Sequence, residues 1–157
     1  MTSPTRTTLT PDTIPSIAHT MPAPWAIAVL LASECGLRSG EVRELRLGDI
    51  DMQAGVIHVT RSAAPDDAVR TQAGPTKSDA DRRDVTIPAT TLAPLSAHLG
   101  AHVRLGPDSL ILSHADGRPV TSRTLSKAFA DACAQANIDT PPPFHALRNL
   151  FLSCARL

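Results

Sequence analysis

The sequence predicts an α+β fold, mainly helical, with a small antiparallel sheet of two or three strands. Three observations carry that expectation. Apolar segments of helical length recur between Pro and Gly breaks, two short runs are rich in β-branched residues, and aromatic side chains are scarce. Trp25, Phe129, Phe144 and Phe151 are the whole aromatic set. The core is therefore expected to consist of Leu, Ala, Val and Ile, which favours helix packing. At 157 residues the chain has the length of one domain, and a domain of this size buries about two-thirds of its unfolded surface.

Residues 1–9 read as a disordered lead-in, and 10–157 as a single folded unit without internal repeat or boundary. Thr10-Pro11-Asp12 is a helix-start signature, predicting a short helix to about His19 that is broken near Pro22 and Pro24. Pro24-Trp25 opens a second helix through Glu34, apolar nearly all round and so expected to be buried, with Gly36 as its C-terminal cap. Ser39 is placed to cap a third helix, from Gly40 to about Leu47, and Gly48 to Asp51 reads as a turn. Val56 to Thr60 and Asp84 to Pro88 are the two clear strands. Between them, Ala64 to Gly74 is polar and reads as a loop plus a short strand, and Lys77 to Arg83 as a charged turn. Helices are expected from Thr90 to about His102, from Thr121 to Asn137, and from His145 onward. A short extended run at Ser109–Leu112, a turn at Asp116-Gly117 and a break over Ile138–Pro143 separate them.

Composition sets limits on function. Formal net charge is zero, so there is no whole-chain electrostatic argument for nucleic acid. The cations are uneven in kind, thirteen Arg against Lys77 and Lys127 alone. Arg is the better bidentate partner for phosphate, although codon usage produces the same bias. Cys35, Cys133 and Cys154 are odd in number and include no CxxC pair, so neither disulfides nor zinc are expected, and a reduced, cytoplasmic setting fits. The polar N-terminal residues show no signal peptide, and the longest apolar stretch, Trp25 to Ser33, is too short to span a bilayer.

Two segments carry candidate chemistry. In Cys35-Gly36-Leu37-Arg38-Ser39-Gly40-Glu41, Arg38 follows an apolar helix and a Gly cap, in a tight turn that limits its freedom. An Arg held in this way can make paired hydrogen bonds to two phosphate oxygens, and Glu41, three residues on, is placed to hold it. The plainer reading is a helix cap with a surface ion pair. In Phe144-His145-Ala146-Leu147-Arg148, His145 and Arg148 share a face in the first turn of a helix, where free N–H groups and the dipole favour an anion. Alone, this spacing also describes a solvated surface helix.

Taken together the segments say more. GLRxGE, then a helix, then D-I-D, then strands enclosing Thr76-Lys77-Ser78 and Arg83-Asp84-Val85-Thr86-Ile87-Pro88, then HxLR at 145–148, resembles the catalytic domain of the tyrosine recombinase, or phage integrase, family in order and spacing. The resemblance covers roughly residues 9 to 155. It implies the DNA breaking-rejoining catalytic fold, double-stranded DNA as partner, and DNA integration or site-specific recombination as activity. It also implies site residues: Arg38 as first arginine, Lys77 as the lysine of the sheet turn, His145 and Arg148 as histidine and second arginine, and Glu41 as the acidic support of the first arginine. In the family a tyrosine attacks a phosphodiester, giving a 3′-phosphotyrosyl link and a free 5′-hydroxyl, with neither metal nor nucleotide cofactor. Arg38 and Arg148 would stabilise the charge growing on the non-bridging oxygens, Lys77 would protonate the leaving 5′-oxygen, and His145 would assist proton transfer.

Two departures stand against the family pattern. Asn149 occupies the place where a second histidine often follows HxLR, and the chain contains no tyrosine. The expectation is a catalytic domain truncated at both ends and inactive alone, with intact recombinase protomers as possible partners and tyrosine available only in trans. The alternative is a non-catalytic DNA-binding or regulatory protein on the same fold. Type IB topoisomerases share the chemistry, but the wording of the motifs is closer to the integrases. His98 and His102, four apart on a predicted helix, suggest a solvated face more than a metal site, since no third ligand is evident. Ser39 and Ser78 lack a His–Asp pattern for hydrolysis. Leu150, Phe151 and Leu152 are expected to face water, as an apolar patch that promotes association.

Overall fold

The computed structural model describes residues 9–63, 82–138 and 140–155. Helix α1 spans Ile14–Thr20, entered through a 3-10 turn at Pro11–Thr13, and α2 spans Ile27–Ser33 after a second such turn at Ala23–Trp25. Helix α3 is Ser39–Glu44. Strands β1 (Ile50–Asp51), β2 (Val56–Val59) and β3 (Arg83–Thr86) form one antiparallel sheet in that order. Helices α4 (Ala89–His102), α5 (Ser122–Gln135) and α6 (Ala146–Ala155) complete the chain. Of the expected lead-in, residues 1–8 lie outside the described residues, and Leu9 packs half-buried against the core. The loop expected at 64–74 and most of the charged turn at 77–83 also lie outside them.

Helix α2 is the centre of the packing. Its Ile27, Ala28, Val29, Leu31 and Ala32 are buried, as an all-round apolar helix must be. Helices α1, α4 and α6 pack around it. The core is aliphatic, with Ile17, Leu31, Leu37, Ile57, Leu95, Leu125 and Leu147 fully enclosed, and Phe129 and Phe144 meeting edge to face at 5.4 Å between centroids. Thr121 caps α5, its hydroxyl accepting from the Thr124 N–H at 3.1 Å. No helix among the described residues is long and apolar enough to cross a membrane.

Four sequence expectations change. Residues Ile50-Asp51, read as part of a turn, form β1, because they pair with Ile57 and Val56; a strand of two residues exists only through its partner. Helix α3 ends at Glu44, since Leu45 has extended backbone and its carbonyl accepts from the Ile111 N–H instead. The N-cap of α3 is Arg38 rather than Ser39, the Arg38 carbonyl accepting the first helical bond from Val42 at 2.9 Å. Finally, Leu150, Phe151 and Leu152 are half-buried rather than exposed, because α6 lies along α2 and not off the edge of the domain.

Candidate functional site

The site is assembled where α2 ends. Gly36 has φ +74°, a conformation that favours glycine, and the Leu37 N–H reaches back to the Leu31 carbonyl at 3.1 Å. This is a glycine-terminated helix end of the Schellman type. It turns the chain sharply, buries Leu37 and delivers Arg38 in extended conformation at the start of α3. The same turn presents the Gly36 carbonyl outward from α2. Helix α6 closes on it with two side chains three residues apart, hence on one face. The Arg148 Nε–H donates to the Gly36 carbonyl at 2.9 Å, and the Phe151 ring covers the Gly36 Cα so closely that an added Cβ would sit 2.4 Å from its Cδ1.

Glu41 is the buried charge of this corner, with its side chain fully enclosed. Its Oε1 accepts from the Arg38 backbone N–H at 2.8 Å, which satisfies a donor at the helix entrance in the manner of a capping box. The carboxylate then takes a second guanidinium from β3. Arg83 Nη1 lies 2.8 Å from Oε2 and Nη2 3.1 Å from Oε1, a two-pronged pair, and Nη2 also approaches the Gly36 carbonyl at 3.5 Å. The guanidinium of Arg38 stays farther off, with Nη1 4.0 Å from Oε2 and about half of its side chain exposed (49 %).

Three guanidiniums, Arg38, Arg83 and Arg148, therefore converge beside Gly36, with Glu41 bridging two of them. Their proximity is felt in the pKa of Arg148, which is lowered from the usual arginine value by burial first, then by the charges of Arg38 and Arg83. Crowded like charges of this kind are relieved by an anion. His145 stands exposed immediately before α6, and its carbonyl accepts the Asn149 N–H at 3.1 Å. It therefore precedes Arg148 by one helical turn, as its spacing predicts. Lys77 lies outside the described residues. The chain that leads toward it crosses α3 at Gly40, where the Ala63 N–H donates to the Gly40 carbonyl at 2.8 Å and any Cβ would meet Ser62 Oγ at 2.4 Å.

The family model described as "Phage integrase family" matches residues 7–154. The chain belongs to the phage integrase family. A prophage phiRv2 integrase of Mycobacterium tuberculosis is 37% identical over 104 residues, an alignment that takes in 64% of this chain and 26% of the relative. An integrase of Mycobacterium phage D29 is 28% identical over 130 residues, covering 78% of this chain and 34% of the relative. The chain thus aligns with about a quarter to a third of the length of these integrases. Among solved structures, a Tn1549 transposon integrase in complex with circular intermediate DNA superposes with a TM-score of 0.75 at 18% identity, over 99% of this chain and 55% of that one. XerA recombinase gives 0.70 at 17% identity, covering 99% and 52%. A lambda integrase dimer bound to a core site gives 0.62 at 21%, covering 98% and 53%. Tyrosine-recombinase catalytic domains thus share this fold.

Within this phage integrase family domain, sequence reasoning singled out Arg38, Glu41 and Arg148, which the structure brings together, but passed over Arg83. The signal was available in the strand. Val85 packs toward the core while Asp84 and Thr86 are exposed, so the alternation of a strand places Arg83 on the inward face with Val85. The histidine pair of α4 differs from expectation. His98 is buried rather than solvated, its Nε2 lying 2.7 Å from the Ile111 carbonyl, with the His102 ring 5.3 Å away. Burial lowers its pKa. Among the described residues no group of three or more His, Cys, Asp or Glu is placed to hold a metal ion. Cys35 is also buried, and its thiol is pushed up to about 12, chiefly by desolvation.

Proposed function

We propose that this domain binds the sugar–phosphate backbone of double-stranded DNA and supplies the phosphate-activating part of a site-specific recombinase site. The observation that carries the reading is the convergence of Arg38, Arg83 and Arg148 on the Gly36 turn, in a domain of the phage integrase family. In the reaction, a tyrosine oxygen attacks phosphorus, the bond to the 5′-oxygen breaks, and a 3′-phosphotyrosyl bond replaces it. Arg38 and Arg148 would hold the two non-bridging oxygens as charge builds on them. Removing a preorganised donor of this kind costs about 3 kcal/mol in the barrier. Lys77 would give the leaving 5′-oxygen its proton, and His145 at the entrance of α6 would exchange a proton with, or hold, a phosphate oxygen. Because a phosphodiester is exchanged for another phosphate ester, the step calls on neither a nucleotide cofactor nor a metal.

The chain has no tyrosine, so cleavage would require that residue from a recombinase protomer bound alongside. Solved relatives include a lambda integrase tetramer bound to a Holliday junction, which supports protomer assembly on DNA as the working form. The absence of tyrosine also favours a second reading, a DNA-binding or regulatory role on the same fold. Both place the protein with DNA in the cytoplasm.

The test uses a nicked suicide duplex. Incubated alone, this chain should form no covalent DNA adduct. Mixed with an integrase protomer that keeps its tyrosine but has lost its own site arginine, it should support a covalent adduct on that protomer. Duplex binding without any adduct in the mixture would favour the regulatory reading. No salt-sensitive duplex binding at all would overturn both.

A further inference from the structure

We infer that Arg83 is a positioning residue whose task is to occupy Glu41, so that the Arg38 guanidinium is left to a phosphate. This rests on the phosphate-binding reading above. Glu41 is fully buried and lies three residues after Arg38 on the same helix. A carboxylate and a guanidinium at that spacing pair readily, and a buried carboxylate strongly favours a cationic partner. Left to local geometry alone, Glu41 would take the Arg38 side chain. The structure shows a different allocation. Arg83, reaching across from β3, lies 2.8 Å from Oε2 and 3.1 Å from Oε1, and the Arg38 backbone N–H donates to Oε1 at 2.8 Å. The Arg38 guanidinium is held at 4.0 Å and remains half-exposed.

The arrangement separates two requirements that one arginine could not meet together. The charge of Glu41 must be compensated because it is buried. The charge of Arg38 must stay uncompensated if it is to meet a phosphate. Arg83 meets the first requirement from a different element, and its contact with the Gly36 carbonyl ties β3 to the turn that also receives Arg148. Two positive charges then remain beside Gly36 for an anion. The role differs from that of a phosphate ligand in a way that can be measured. If Arg83 acts through Glu41, its loss should be repaired by removing the charge of Glu41. If Arg83 contacts the phosphate, no change at Glu41 repairs it.

The experiment is a salt titration of binding to a short labelled DNA duplex, with a thermal melt of each variant. Arg83→Met should bind about tenfold more weakly than the unmodified chain, with its salt slope reduced by about one, the same signature as Arg38→Gln. Adding Glu41→Gln to Arg83→Met should restore affinity to within about threefold, since a neutral amide still accepts the Arg38 N–H but does not hold the guanidinium. Arg83→Met binding as tightly as the unmodified chain overturns the inference, and so does a double variant as weak as Arg38→Gln. Should Arg83→Met alone fail to melt cooperatively, the charge-balanced double variant decides by the same criterion. Failure of the unmodified chain to bind, or indifference to Arg38→Gln, would strike the phosphate-binding reading itself. Weak binding by the double variant with Arg38→Gln still harmful strikes only the role of Arg83.

Discussion

The two ends of the α2 neighbourhood treat their ionisable side chains in opposite ways. Against its flank, α4 places His98 and His102 beside Glu34 and His19 along an open groove of about 690 Å³. At its C-terminal end, Arg38, Glu41, Arg83 and Arg148 gather on a single turn. In the groove two of the polar groups have local partners. His98 has the Ile111 carbonyl, and Glu34 accepts from the hydroxyls of Thr90 and Thr91. At the turn, three cations share one carboxylate and one carbonyl among the contacts described above. The difference teaches that helical spacing of ionisable residues says little until the acceptors are counted. A buried histidine bonded to a backbone carbonyl is structure, whereas guanidinium groups converging on one turn, with Arg38 half-exposed, make a candidate anion site.

The comparison can be broken most forcefully at Gly36. Gly36→Ala would force a positive-φ alanine against the Phe151 ring and should destabilise the fold by about 3 kcal/mol, lowering the melting temperature by about 10 °C. Adding Phe151→Ala should recover part of that loss only if the ring contact is the cause. Next comes Glu41→Ala, which strips a buried carboxylate from Arg83 and from the entrance of α3. A denaturant titration should show a loss of about 2 to 3 kcal/mol, larger than for any single change at His102.

Arg148→Gln should sharpen the contrast instead. Its stability cost should stay near 1 kcal/mol, the worth of one hydrogen bond, while duplex affinity falls about tenfold and the salt slope drops by about one. Replacing His102 by Gln should leave duplex affinity unchanged. That pairing tells the anion site from the groove without reference to any reaction.

The smallest effect is a pH dependence with two opposing signs. Burial lowers the pKa of His98, so the unfolded chain binds the proton first. Stability should therefore fall as pH drops below about 6.5, and the fall should end below the folded value of His98. His58 behaves oppositely. Its hydrogen bond to Asp84, at 2.7 Å across β2 and β3, raises its pKa. Its contribution is fully present below the ordinary histidine value and is lost as pH rises through the raised one. Thermal melts between about pH 5 and 8 should show His98→Gln removing the acid-side fall, with His58→Gln removing the alkaline-side loss.

Much of this architecture was legible in the residues, and what was not has definite causes. Helix α2 announced itself because an uninterrupted apolar run ending in Gly admits few alternatives. The candidate-site arginines Arg38 and Arg148 were legible because each sits beside a local landmark, the Gly36 cap and the break before α6. Arg83 had no such landmark. Its partner Glu41 lies 42 positions earlier in the chain, and only the inward face shared with Val85 distinguishes it from Arg82. Strand β1 was missed for the same reason, since Ile50-Asp51 owes its conformation to residues across the sheet. The half-burial of Phe151 was equally invisible, because it depends on α6 lying over Gly36.

The claim that matters most is that Arg38 and Arg148 serve one phosphate, and a double-mutant cycle in duplex affinity tests it most directly. Arg38→Gln and Arg148→Gln should each weaken binding about tenfold. Together they should cost less than the product of the two, with a coupling of at least about 0.5 kcal/mol, because the second loss falls on a phosphate already half released. Strict additivity of the two losses would show that the arginines meet separate phosphates, and would contradict the account.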